Sequence, residues 1–153
     1  EELREGVEGA CVLIVNEYEF GMIEKKTGLG LERITALAGT VIVTCGAEGS
    51  VIHTQGCRHE IPAVRPPRVA DPTGVGDGYR AGIIKGMIRG YPWPLAGRLG
   101  SLVAAYVLEK HGTQNHRFTL EEFVQRFRRE FGEAGDFEPA LEDILAIAKE
   151  NKQ

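Results

Sequence analysis

The chain has 153 residues, 42% of them hydrophobic and 26% charged, with 20 Gly and 7 Pro; this suits one ordinary soluble domain with a sizeable core and excludes disorder and a collagen-like repeat. Eighteen Lys and Arg against 22 Asp and Glu leave a formal charge of -4, so no overall basic field exists to hold nucleic acid or an anionic membrane, and neither is expected as a partner. The longest apolar run, residues 10–15, falls far short of the roughly 20 residues of a membrane span, and the start Glu1-Glu2 lacks the regions of a signal peptide.

Three cysteines, Cys11, Cys45 and Cys57, form no C-x-x-C pair, which argues against a disulfide framework or a thiolate zinc site. They read as buried small hydrophobes in a reducing compartment, and the chain reads as cytoplasmic. It begins at Glu1 without Met and enters a helical pattern at once, which reads as part of a longer polypeptide.

Residues 10–15 form a continuous apolar run, the pattern of a strand covered on both faces, and residues 40–44 behave the same way. Helical stretches at 17–26 and 31–38 lie between them, broken by Thr27-Gly28-Leu29-Gly30, so the order predicts a βαβ crossover and a parallel pair. Residues 50–54 and 57–61 flank Gln55-Gly56 and predict an antiparallel hairpin. After a Pro-rich segment the pattern turns helical at about 75–89, 94–111 and 120–131, the last with Phe123, Phe127 and Phe131 on one face and Thr119 with Glu122 as a capping box. Arg126, Arg128 and Arg129 read as the solvated face of that helix. A last helix at 139–149 sets Leu141, Ile144, Leu145 and Ala148 together as an amphipathic tail, and residues 132–153 hold 2 basic and 6 acidic side chains. These elements predict a three-layer α/β/α domain with a mostly parallel sheet and an antiparallel edge hairpin.

The stretch that carries chemistry is Asp71-Pro72-Thr73-Gly74-Val75-Gly76-Asp77, a two-glycine loop running into a helix. Its backbone N–H groups and the positive end of the helix make an anion cradle. Asp77 would repel a phosphate unless it takes a proton from the hydroxyl that attacks it. On spacing alone a Pro/Gly turn with Asp77 as a first-turn helix acid fits equally well. A dinucleotide-dependent oxidoreductase is a distant third reading, because the third glycine and a strand directly before the loop are absent. His53 and His59, and His111 and His116, have no companion ligand at metal-site spacing.

The same stretch, continued by Gly78-Tyr79-Arg80-Ala81-Gly82, resembles the signature of the ribokinase-like (PfkB) carbohydrate and nucleoside kinases. Asn16-Glu17-Tyr18-Glu19 matches that family's Asn-x-x-Glu after a buried strand, and Thr44-Cys45-Gly46, followed by Gly49, matches its Thr-x-Gly. The run from Gly100 through Gly112-Thr113-Gln114 looks most like the bacterial adenosine kinase branch. The resemblance covers residues 1–131, as the C-terminal, ATP-side part of a kinase domain, and leaves 132–153 as an acidic helical tail.

It implies ATP-dependent phosphoryl transfer to a hydroxyl of a nucleoside or sugar, adenosine being the best single candidate. Asp77 is then the catalytic base, and the N–H groups of Gly74, Val75 and Gly76 stabilise the transferred phosphoryl group. Thr44, Gly46, Gly49 and Thr73 line the nucleotide, while Asn16 and Glu19 organise Mg²⁺ through its water shell. Asn16 and Glu19 also fit a plain helix cap, and Thr44 and Gly46 a plain strand-end turn. Asp71, with Thr73, is implied beside a monovalent cation such as K⁺. Gly78 departs from the family's usual Ala, adding backbone freedom at a helix start at some cost in stability. Relatives are about twice this length, and their N-terminal half grips the acceptor; the chain is therefore expected to be a fragment, or to meet a second chain or a further copy of itself. The alternative is a nucleotide- or phosphate-binding module without turnover.

Overall fold

The computed structural model describes residues 2–54, 56–132 and 135–150, without the side chains of Ala148 and Glu150. Gln55 of the expected hairpin turn, Ala148 on the expected apolar face and residues 151–153 of the expected tail lie outside the described residues. The chain divides into two compact units, Glu1–Ala63 and Val64–Gln153.

The first unit runs α1 (Glu2–Val7), β1 (Val12–Asn16), α2 (Glu17–Thr27), α3 (Leu31–Ala38), β2 (Thr40–Thr44), β3 (Ser50–Thr54) and β4 (Cys57–Ile61). β1 and β2 pair in parallel, Val12 opposite Thr40 and Asn16 opposite Thr44, so the expected crossover forms. β3 and β4 form the expected hairpin. In the order β1-β2-β3-β4, however, β2 and β3 are also antiparallel, so these four strands make a mixed sheet rather than a mostly parallel one. Connection length is the reason: only a 3-10 turn, Gly46–Glu48, separates β2 from β3, whereas a parallel return needs about a dozen residues or more.

Apolar alternation places the core. Val41 and Val43 of β2 join Val15, Ile23, Ile34 and Ala38 in one cluster. Ile42 and its register partner Ile52 point the other way and are both fully buried, each such burial contributing about 1.5–3 kcal/mol. β1 is less covered than its composition predicts: Val12, Leu13 and Ile14 are half-buried, because β1 is an edge strand among the described residues. The cysteines also depart from expectation. Cys11 and Cys57 are exposed and Cys45 is half-buried, since Cys11 precedes the edge strand and Cys57 opens the outermost strand, β4.

The second unit is helical: α4 (Val75–Ile88), α5 (Trp93–Leu108), α6 (Leu120–Phe131) and α7 (Glu138–Glu150). Gly78, Gly82 and Gly86 recur every fourth residue and so share one face of α4. Along that face the helices are in backbone contact: a Cβ on Gly82 would lie 2.5 Å from the Gly100 Cα, and one on Gly86 2.5 Å from the Ala96 Cβ. Gly78 belongs to the same seam. A Cβ there would meet the Val107 Cγ2 at 2.7 Å, so this glycine serves helix packing rather than merely loosening the helix start.

Thr119 and Glu122 form the predicted capping box at the start of α6, with N–H donors at 2.8 and 3.1 Å. Phe123 and Phe127 are buried with Leu95, Leu99, Leu102, Leu141 and Ile144, so the apolar face of α7 is part of this unit's core. Opposite charges flank it. Arg128 pairs with Glu138 and, at 3.0 Å, with Glu142; Asp143 accepts the Tyr91 hydroxyl at 2.8 Å and lies 3.5 Å from Arg89. Of the three arginines expected on a solvated face, Arg129 is exposed, Arg128 is engaged with α7, and Arg126 is buried.

Candidate active site

The predicted residues fall into two sets, one in each unit. In the first unit, Asn16 and Thr44 end neighbouring parallel strands in register, which brings the Asn16–Glu19 and Thr44–Gly49 motifs side by side at the carboxyl end of the β1–β2 pair. Open α/β sheets commonly place ligands there. Asn16 caps α2: its Oδ1 accepts the Glu19 N–H at 2.8 Å, and Glu19 Oε2 accepts the Asn16 N–H at 2.9 Å. The helix-cap reading of this pair is therefore realised in full. It leaves one oxygen of an exposed carboxylate outside the capping box, an acceptor that suits the water shell of Mg²⁺.

Thr44 Oγ1 donates to the Val15 carbonyl at 3.4 Å, tying the two strand ends. Gly46 and Gly49 bracket the following turn, where Cys45 N–H donates to Gly49 O at 2.8 Å. At Gly49 the backbone has φ 97° and a Cβ would collide with the Ile61 carbonyl, so chain packing alone already demands glycine there. Burial, followed by nearby Glu17, pushes the Cys45 thiol above its ordinary pKa, so it lacks thiolate character.

In the second unit, Gly74 caps α4 in the left-handed conformation, φ 82°, and starts a helix whose first N–H groups, at Val75, Gly76 and Asp77, precede the first intrahelical carbonyl; the Val75 N–H donates weakly to the Pro72 carbonyl at 3.4 Å. A Cβ on Gly76 would meet only the Arg80 Nη1, at 4.0 Å, so packing does not demand glycine there as it does at Gly74. The Asp77 carboxylate is exposed and pairs with Arg80 at 2.7 Å. Arg80 is absent from the site residues expected from the sequence, although its i,i+3 spacing from Asp77 is a readable signal.

Asp71 organises the loop from below. Its Oδ1 accepts the Thr73 N–H at 2.9 Å and its Oδ2 accepts the Gly112 N–H at 3.0 Å. The Gly112 bond, followed by those of Thr73, holds the Asp71 carboxyl down at about 2. Leu108 O accepts the Ala70 N–H at 2.7 Å, and a Cβ on Gly74 would sit 3.0 Å from the Thr113 side chain. The cradle thus rests on the turn after α5, a support that sequence spacing does not reveal.

The description "pfkB family carbohydrate kinase" matches residues 1–119, and the chain belongs to that family. A nucleoside kinase of Methanocaldococcus jannaschii is 33% identical over 129 residues, covering 84% of this chain and 43% of the relative. A nucleoside kinase of Methanothermobacter thermautotrophicus is 34% identical, covering 87% of this chain and 42% of its own length. Among solved structures, the Burkholderia thailandensis nucleoside kinase in complex with inosine is 38% identical, with a TM-score of 0.83 over 85% of this chain and 44% of that one. The fold is therefore ribokinase-like, with a mixed four-stranded sheet, and the chain spans less than half the length of these relatives. A Sinorhizobium meliloti adenosine kinase, 23% identical with a TM-score of 0.70, shares the fold.

Proposed function

We propose that this chain is the ATP-side part of a kinase that transfers the γ-phosphoryl group of ATP to a nucleoside hydroxyl, adenosine among the candidates. The observation that carries the reading is the helix N-terminus at Gly74–Asp77, which opens on a left-handed glycine and bears an exposed carboxylate in its first turn, in a chain similar to three nucleoside kinases. Nucleosides are favoured over sugars because of those relatives.

In this reading Asp77 accepts the proton of the acceptor hydroxyl as its oxygen bonds to the γ-phosphorus and the bond to the bridging oxygen breaks, releasing ADP. The N–H groups of Gly74, Val75 and Gly76 take the charge on the transferred oxygens, a fixed array that need not reorganise. Thr44, Gly46, Gly49 and Thr73 line the phosphates, and Asn16 and Glu19 hold Mg²⁺ through water. When bound, the metal neutralises charge between the phosphates. Asp71 and Thr73 stand beside a K⁺ site.

The remaining strands are proposed to belong to an N-terminal portion, on the same polypeptide or a second chain, that completes a three-layer α/β/α domain with a mostly parallel sheet; assembly of further copies is a weaker variant. The edge strand β1 and the exposed Tyr18, Met22, Ile84 and Ile88 support a covering of this kind. In the proposed division, residues 1–131 carry the kinase machinery and 132–153 an acidic extension, whose helix α7 nonetheless packs into the core of the second unit. Exposed free thiols at Cys11 and Cys57 suit a reducing cytoplasm. The half-length span favours one second reading, a nucleotide- or phosphate-binding module without turnover. An assay of ADP formation over a nucleoside panel separates them: ADP released only with a nucleoside present supports the kinase, and nucleotide binding without release supports the module.

A further inference from the structure

Arg126 sits in the middle of α6, where its side chain is 8% exposed. Its guanidinium grips Glu109 with both arms, Nη1 to Oε2 at 3.1 Å and Nη2 to Oε1 at 2.5 Å, and lies over the Tyr106 ring at 4.5 Å. Its Nε, 3.7 Å from Glu130 Oε1, has no hydrogen-bond partner among the described residues. A buried ion pair of this kind is often replaceable by apolar residues without loss of stability, so its worth lies in the orientation that a planar fork imposes.

What it orients is the C-cap of α5. Glu109 is that cap, and it stands between Leu108, whose carbonyl accepts the Ala70 N–H, and Gly112, whose N–H is taken by Asp71. Thr113 then abuts Gly74. The path from Arg126 to the cradle is therefore continuous: fork, helix end, turn, loop. We propose that Arg126 and Glu109 act as a pair of positioning residues, fixing the turn after α5 so that the turn fixes the loop that carries Gly74 and Asp77. The mechanical part stands on geometry; its kinetic consequence rests on the phosphoryl-transfer reading.

The test is native-state amide hydrogen exchange in Arg126→Met and in the double variant Arg126→Met with Glu109→Met, which leaves no unpaired charge and keeps the test available if the single variant unfolds. The amides of Gly112 and Thr73 are expected to exchange about 10-fold faster or more in both, with the core amides of Leu102 and Phe127 unchanged. Equal effects in the single and double variants mark the pair as one unit. Arg126→Lys, which keeps charge but loses the fork, should resemble Arg126→Met. Unchanged exchange at Gly112 and Thr73, or acceleration only in step with Leu102 and Phe127, overturns the proposal.

The kinetic arm uses the domain completed by its N-terminal portion, where the double variant should lower kcat about 10-fold or more with little change in the nucleotide KM. Faster exchange with normal kcat overturns the positioning role in catalysis. If the unsubstituted domain forms no product at all, the kinase reading fails, and the exchange result alone decides the pair.

Discussion

The Asp71 carboxylate accepts the Gly112 N–H at 3.0 Å, fastening the loop before α4 to the turn after α5. Because this bond and those of Thr73 lower the Asp71 pKa from 3.8 to about 2, the stability they contribute is present above about 3.8 and is lost as pH falls toward 2. The Gly112 amide shift, followed by NMR, should titrate with a midpoint at about 2. A midpoint near 3.8 would mean that the bond does not hold in solution.

Two helical glycines should answer the same substitution with opposite signs. Gly82→Ala places a Cβ 2.5 Å from the Gly100 backbone and should cost about 1–3 kcal/mol by forcing α4 and α5 apart. Gly21→Ala in α2, where a Cβ meets nothing within 4 Å, should stabilise by about 1 kcal/mol through helix propensity. Urea midpoints of the two variants check this; destabilisation of similar size in both would refute the close-packed seam.

Tyr91 ties α7 down at alkaline pH as well as at neutrality. Burial first, then the hydrogen bond to Asp143, raises its pKa to about 12 from 10.0. The unfolded chain loses this proton first, so the contribution is complete below about 10 and fades as pH rises to about 12. Stability measured against pH should fall less steeply across that window in Tyr91→Phe than in the unsubstituted chain. Parallel curves would remove Tyr91 from the attachment of α7.

Much of the fold is legible in the sequence. The bounds of α3, β2, β3, β4 and α6 follow directly from apolar runs, glycine breaks and one capping box, because those signals are local. What was not legible depends on partners distant in sequence. Arg126 reads as solvated until Glu109, 17 residues earlier, is placed beneath it. Cys11 reads as buried until β1 proves to be an edge strand. The candidate site divides in the same way: its motifs stand out in the sequence, whereas the support of the Asp71 loop by Gly112 and Thr113 is a tertiary fact.

The pair Asn16 and Glu19 separates capping from metal binding. Glu19→Gln preserves a capping box, so α2 should keep its stability to within about 0.5 kcal/mol, while Asn16→Ala should cost about 1 kcal/mol. In the completed domain, Glu19→Gln should nonetheless raise the Mg²⁺ concentration needed for half-maximal turnover, since a neutral amide attracts the hydrated ion less. Unchanged Mg²⁺ dependence would leave the pair a helix cap and nothing more.

The most direct test concerns Asp77. In the domain completed by its N-terminal portion, Asp77→Asn keeps size and helix start but removes the proton acceptor, whereas the cradle, being backbone, is untouched. The measurement is single-turnover phosphoryl transfer to a nucleoside, with Mg²⁺·ATP affinity and the urea midpoint determined on the same sample. The account predicts a fall of roughly 10²- to 10⁴-fold in transfer, with nucleotide affinity and folding retained. Near-normal transfer in the Asn variant, or a loss explained by unfolding, would contradict it and return Asp77 to the role of a first-turn helix acid.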